Sequence, residues 1–102
     1  MYNLFLDDER FPSGDSMDWV VVRSYDEAVA QVLNWGFPSF ISFDHDLGPD
    51  EKTGYDFAKW IVELDMDHGV IDVENFEFYV HSQNPVGKEN IEKLLENYLK
   101  MK

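Results

Sequence analysis

Apolar and polar positions along the chain fall into two alternating patterns. Tyr2 to Leu6 is a short apolar run that halts at Asp7-Asp8, as a buried central strand does. Glu9 to Asp18, with Pro12 and Gly14, reads as a loop or at most a helical turn. Trp19 to Arg23 carries three valines and predicts a second strand. Ser24 then caps a helix to about Trp35. Glu27 has capping-box spacing, and Val29, Val32 and Leu33 form the expected buried stripe. Gly36 and Pro38 stop that helix, and Phe40 to Phe43 make a third strand ending at Asp44. Thr53 and Asp56 repeat the capping-box spacing in an acidic variant. They open a second helix with Phe57, Ile61 and Leu64 inward, ending by about Gly69. Phe76 to Val80 predict a fourth strand that runs into His81 and Ser82. Pro85 starts a last helix faced by Ile91, Leu94, Leu95, Tyr98 and Leu99.

Strands alternating with helices imply parallel pairing in a layered α/β sandwich, with ligands outside the carboxyl ends of the strands. The polar residues collect there. Asp7-Asp8, Asp44-His45-Asp46 and His81-Ser82-Gln83-Asn84 each follow an apolar strand. That coincidence is the strongest functional signal in the chain.

Composition narrows the classes. The 102 residues suit one domain, 1–102, and show no repeat, linker or low-complexity tract. The absence of cysteine excludes thiolate metal sites and disulfides, and fits a reducing cytoplasm. The start, MYNLFLDDER, has the form of neither a signal peptide nor a membrane anchor. A net charge of −13 opposes an extended nucleic-acid surface and membrane binding. A small anionic substrate then needs a bridging metal or a local set of donors. A protein partner is left open.

Carboxylates arriving from separate strands suit a hard cation, magnesium or manganese, so Asp7, Asp8 and Asp44 are candidate ligands; the bland alternative is a solvated turn. Asn84 to Lys88 leads into the last helix, where free amides can hold a phosphate. Gly87 would permit close approach and Lys88 would add charge, against the alternative of an ordinary cap. Arg10 is a second scarce cation near the acidic mouth. Tyr55 is placed to stack on a base or to pack in the core. Trp19, Trp35 and Trp60 read as core or interface residues, and His68 as a surface residue.

These residues resemble a response-regulator receiver domain. Asp7 and Asp8 match its leading acidic pair, Asp44 its strand-three acid and Ser82 its strand-four hydroxyl. The resemblance implies a magnesium site on the three acids and the backbone carbonyl of Asp46. It departs where the first helix shrinks to a loop, and where the fifth strand, its lysine and the final helix are missing. LFLDDERFP, SFDHDLG, TGYDFAKW and HSQNPVG, in that order, are more closely similar to a compact relative, the cyclic-phosphate-processing receiver domain. That implies a receiver-like (flavodoxin-like) three-layer sandwich, with a reduced, mainly parallel sheet of about four strands in order 2-1-3-4.

It also implies handling of a cyclic phosphate on a nucleotide or RNA end. The expected activity is metal-dependent hydrolysis, with His81, His45 or Asp44 doing the chemistry. Arg10, Ser82, Asn84, Gly87 and Lys88 would hold the substrate. The alternatives are a binder that does not turn its ligand over and a degenerate phosphoacceptor.

Overall fold

A computed structural model describes residues 2–12 and 18–102. Residues 13–17, with Gly14 of the expected loop, lie outside the described residues. β1 (Asn3–Leu6) sits between β2 (Trp19–Val22) and β3 (Phe40–Phe43), and β4 (Glu77–Val80) flanks β3. All neighbours pair in parallel, in the expected order 2-1-3-4. The helices are α1 (Tyr25–Trp35), α2 (Gly54–His68) and α3 (Pro85–Met101). Among the described residues no helix is long and apolar enough to cross a membrane.

Register determines what each face of the sheet meets. Leu4 lies level with Val20 and Ile41, and Leu6 with Val22 and Phe43; β4 adds Phe78 and Val80 to those rows. Successive strand residues point to opposite faces, so this set shares one side. It joins a single core with Ala28 and Val32 of α1, Phe57, Ala58 and Ile61 of α2, and Ile91 and Leu95 of α3. All three helices therefore cover the same face. The other face carries Phe5, Val21, Ser42 and Tyr79 in one row, and Trp19 and Phe40 in the row before.

This is the one departure from the expected architecture. The strand order and receiver-like α/β class hold, but among the described residues no helix forms a third layer. The described part of the segment after β1, residues 7–12 and 18, carries no helix, and Pro12 lies within it. The open face packs on itself instead. Trp19 meets Phe5 edge-on at 5.6 Å and Phe40 at 5.7 Å.

Local signals place the elements well. Ser24 Oγ accepts from the Glu27 amide at 3.1 Å, and the Glu27 carboxylate accepts from Arg23 N, one residue earlier than a standard box. The Thr53–Asp56 box is complete. In α1 Ala28, not Leu33, faces the core. Leu33 is 64% exposed because it lies one step round the helix from the Tyr25-Ala28-Val32 stripe. Trp35, expected in a core or interface, is 75% exposed.

In α2 the inner face continues past half-buried Leu64 to buried Asp65. Its carboxylate accepts from Tyr98 Oη and Lys102 Nζ, both at 2.6 Å, and from Ile71 N at 2.7 Å. Burial alone would raise this carboxyl, but those partners hold it below its usual range; the same contact pushes Tyr98 up to about 12. Lys102→Met should cost about 3 kcal/mol in denaturant unfolding, since it leaves a buried carboxylate without its cation. The wild-type advantage should fade as pH falls through the depressed Asp65 pKa.

Candidate active site

The parallel ladder runs one residue past the ends of β1, β3 and β4. Asp7 N donates to Val22 O, Asp44 N to Leu6 O and His81 N to Phe43 O, at 2.9–3.1 Å. Asp7, Asp44 and His81 thus form one row on the open face of the sheet, beyond Phe5 and Ser42. One ligand-type atom from each lies within 4.8 Å of the others.

Asp7 is fully buried, and its oxygens are already engaged. Oδ1 accepts from the amides of Glu9 and Arg10, both at 2.9 Å. Oδ2 accepts from Arg10 Nε and His81 Nε2, both at 3.0 Å. A carboxylate offers about four lone-pair sites, and these four donors occupy them. Burial would raise the Asp7 carboxyl, but these donors and the Arg10 charge carry it below the usual range.

His81 is fixed as firmly. Its Nδ1 meets Ser42 Oγ at 2.7 Å, and its ring stacks on Phe5 with centroids 4.5 Å apart. Since the carboxylate of Asp7 can only accept, Nε2 carries the shared hydrogen. The tight trio is therefore a buried network that aims Arg10. A metal held by this trio would have to displace the Arg10 and His81 hydrogen bonds from Asp7 Oδ2.

The guanidinium of Arg10 reaches from Asp7 toward Asp44, its Nη2 lying 3.7 Å from Asp44 Oδ2. Asp44 Oδ1 accepts from the His45 amide at 2.8 Å. Burial first, and then the negative charge of Asp7, raise the Asp44 carboxyl above its usual range. Two neighbouring acids are thus driven apart, Asp7 down and Asp44 up.

Beyond this row opens a polar cleft of about 280 Å3, lined by Asp8, Glu9, Arg10, Asp44, Asp46, Ser82, Gln83 and Asn84. Every anionic donor in it is a carboxylate. That set fits a small hard cation.

Two glycines hold the rim. A Cβ on Gly54 would lie 1.9 Å from the carbonyl oxygen of Asp44, and Gly54 N donates to His45 O at 2.8 Å. The start of α2 is thus seated on the backbone that presents Asp44. A Cβ on Gly87 would lie 2.3 Å from His45 Cγ, so the first turn of α3 rests on the imidazole. His45 Nδ1 also meets Asp46 Oδ1 at 2.8 Å, and the Asn84 amide reaches Asp46 at 3.3 Å. Gly87→Ala should rotate His45 out and break both contacts. The expected cost is about 1–3 kcal/mol, read by thermal melting, with Asn84 also loosened.

A family model for the cyclic-phosphate processing receiver domain matches residues 2–97. The chain belongs to this family. No curated protein and no solved structure matches it.

In this cyclic-phosphate processing receiver domain the expected site residues separate into three groups. Asp8, Arg10, Asp44, Asp46, Ser82 and Asn84 come together around the cleft. Asp7 and His81 support it from the open face of the sheet, and His45 wedges under α3. Gly87 and Lys88 do not face the cleft. The Gly87 amide donates to Asn84 Oδ1 at 3.0 Å, which is the ordinary cap, and Lys88 Nζ lies 5.8 Å from the centre of the Tyr79 ring. Tyr55 packs against the core cluster under Lys59 and is not a cleft residue. Gln83, in the strand-end group after β4 but not singled out within it, and Glu9, whose position gave no distinctive signal, also line the cleft. The Asp7 turn brings Glu9 there by binding its amide.

Proposed function

We propose that the cleft binds a cyclic phosphate on a nucleotide or RNA end and opens it to a monoester with the help of magnesium or manganese. The observation that supports this reading is the pairing of an all-oxygen acidic cleft with one fixed guanidinium. Such a combination suits a metal-bridged anion and repels one without a metal.

Asp8, Asp44 and the Asp46 segment would hold the ion, which supplies charge neutralisation for the phosphoryl group. The chain's own residues do the rest. Arg10, aimed by Asp7, holds a non-bridging oxygen with charge-assisted hydrogen bonds. The Ser82 hydroxyl and the Asn84 amide fix the ligand's orientation. As water attacks phosphorus, one ring P–O bond breaks, and a carboxylate lining the cleft, Glu9, accepts the water's proton. The freed sugar oxygen regains a proton from solvent. His81 acts on this chemistry as a positioning residue, through Asp7 and Arg10.

The position of the histidines also favours a second reading, in which the domain binds the same ligand without turnover. Neither histidine is among the residues lining the cleft. Phosphorus NMR of nucleoside 2′,3′- and 3′,5′-cyclic phosphates with the protein, magnesium or manganese, and then a chelator separates the two. Hydrolysis predicts a monoester resonance that stops growing on chelation. Tight binding with an unchanged cyclic resonance would establish the binder. Arg10→Gln should weaken phosphate-dependent binding roughly 10- to 100-fold in either case, measured by calorimetry.

A further inference from the structure

The acidic cleft shares a wall with an aromatic pocket. Arg10 lines the cleft, and on the other side Arg10 together with Phe5, Phe11 and His81 encloses about 230 Å3. This volume falls below the ~300–1,000 Å3 typical of drug-sized ligand sites, and it suits one planar ring system. From this juxtaposition we infer that the pocket is a nucleobase subsite, so the ligand is a nucleoside bearing a cyclic phosphate and not a bare sugar phosphate. The inference rests on the cyclic-phosphate reading of the neighbouring cleft and adds to it the part of the ligand that the cleft leaves unrecognised.

The pocket is built to present flat apolar surfaces. Phe5 and His81 stack in parallel, with 2° between their planes, and both His81 nitrogens are tied, to Ser42 and to Asp7. The floor cannot rotate away without breaking that network. Phe11 is 74% exposed and lines the pocket, so its ring is accessible to a ligand. One side of its ring is held by the Arg23 guanidinium at 4.5 Å, and Arg23 is itself anchored by the carbonyls of Asp7 and Arg10. A guanidinium fixed in this way sets the ring's position ahead of binding, and the ring's remaining surface faces the pocket.

The guanidinium ends at Asp44, inside the cleft, while its Nε sits on Asp7 beside His81. Arg10 is thus the wall shared by the two compartments, so one ligand can set its phosphate on one side of it and its base on the other. Stacking on aromatic faces tolerates every base, so broad base acceptance is expected.

Equilibrium binding tests this with three probes: a nucleoside 2′,3′-cyclic phosphate, ribose 2,3-cyclic phosphate without a base, and the plain nucleoside. Each is titrated with magnesium into wild type, Phe11→Ala, Phe11→Trp and Asp44→Asn. The nucleotide should bind roughly 10- to 100-fold more weakly to Phe11→Ala and near normally to Phe11→Trp, with the base-free probe unaffected by either change. Because Phe11 is exposed, the alanine variant should retain its fold, which circular dichroism checks.

If the base-free probe binds as tightly as the nucleotide, and Phe11→Ala changes neither, the subsite is overturned while the phosphate cleft stands. If Asp44→Asn alters nothing but the nucleoside still binds through Phe11, the cleft reading fails and the base subsite survives. No binding of any probe overturns both. An oligoribonucleotide ending in a cyclic phosphate completes the set. Equal affinity for it would make an RNA end the source of the base, and weaker affinity would favour the mononucleotide, as the charge of −13 suggests.

Discussion

Gly54→Ala is expected to lower stability by about 3 kcal/mol, a drop of roughly 12–24 °C in melting temperature for a domain of this size. The added methyl would sit 1.9 Å from the carbonyl oxygen of Asp44, which is backbone and cannot swing aside as a side chain can. Relief requires α2 to move outward or the turn after β3 to shift. Either motion opens the Gly54 N to His45 O hydrogen bond and carries Asp44 away from Arg10. Ligand binding should therefore fall along with stability. Thermal melting of the purified variant, with calorimetric titration at a temperature where it remains folded, reads both effects. A variant that melts with wild type would mean that the α2 start is seated less closely than described.

Asp7→Asn and Asp44→Asn should change stability in opposite directions while both impair function. Asp7 is fully buried and accepts four hydrogen bonds. Asn keeps one acceptor oxygen and turns an NH2 toward Arg10 Nε and His81 Nε2, for a loss of about 2–4 kcal/mol. Asp44 is the reverse case. Burial and the charge of Asp7 raise its pKa, so its ionised form burdens the folded state. The neutral Asn relieves that burden and still accepts from the His45 amide through Oδ1. Its melting temperature should rise.

The pH dependences follow with matching signs. The depressed Asp7 pKa means that its contribution is complete above the ordinary aspartate range and is lost as pH falls through the folded-state value. For Asp44, raised, the contribution is complete at low pH and is lost as pH rises through the folded-state value. At neutral pH the Asp44→Asn gain should thus be present, and it should vanish in acid. Melting curves of the three proteins across pH 3–8, a range chosen to span ordinary carboxyl titration, measure both trends.

Much of this arrangement was legible in the chain. Asp7-Asp8, Asp44-His45-Asp46 and His81-Ser82 each end an apolar strand, and parallel order 2-1-3-4 gathers those ends. Pattern reading could not tell which member of each group faces the cleft. His81 is one of the residues expected to do the chemistry, on a strand end that runs into Ser82. The β4 pairing instead extends through His81 N, so alternation turns its ring onto the open face beside Phe5. The turn that Asp7 makes with Glu9 and Arg10 engages its oxygens, and a local turn of that kind has no periodic signature. The lost third layer has a similar origin. An absent helix leaves nothing in the hydrophobic pattern to count, and the aromatic residues on the uncovered face read like ordinary core. Gly87 reads in the sequence as room for a phosphate or an ordinary cap and Gly54 carries no signal of its own, whereas in the structure each avoids a clash with the strand-three turn, a contact between distant segments.

The most direct test of the account is single-turnover opening of a nucleoside 2′,3′-cyclic phosphate by wild type and Asp44→Asn, with magnesium and with chelator. The account predicts a monoester product from wild type that requires the metal. It also predicts a rate at least ~10²-fold lower in Asp44→Asn, although that variant is folded and melts higher. Wild-type rates from the folded Asp44→Asn protein, or product formation unaffected by chelation, would contradict it.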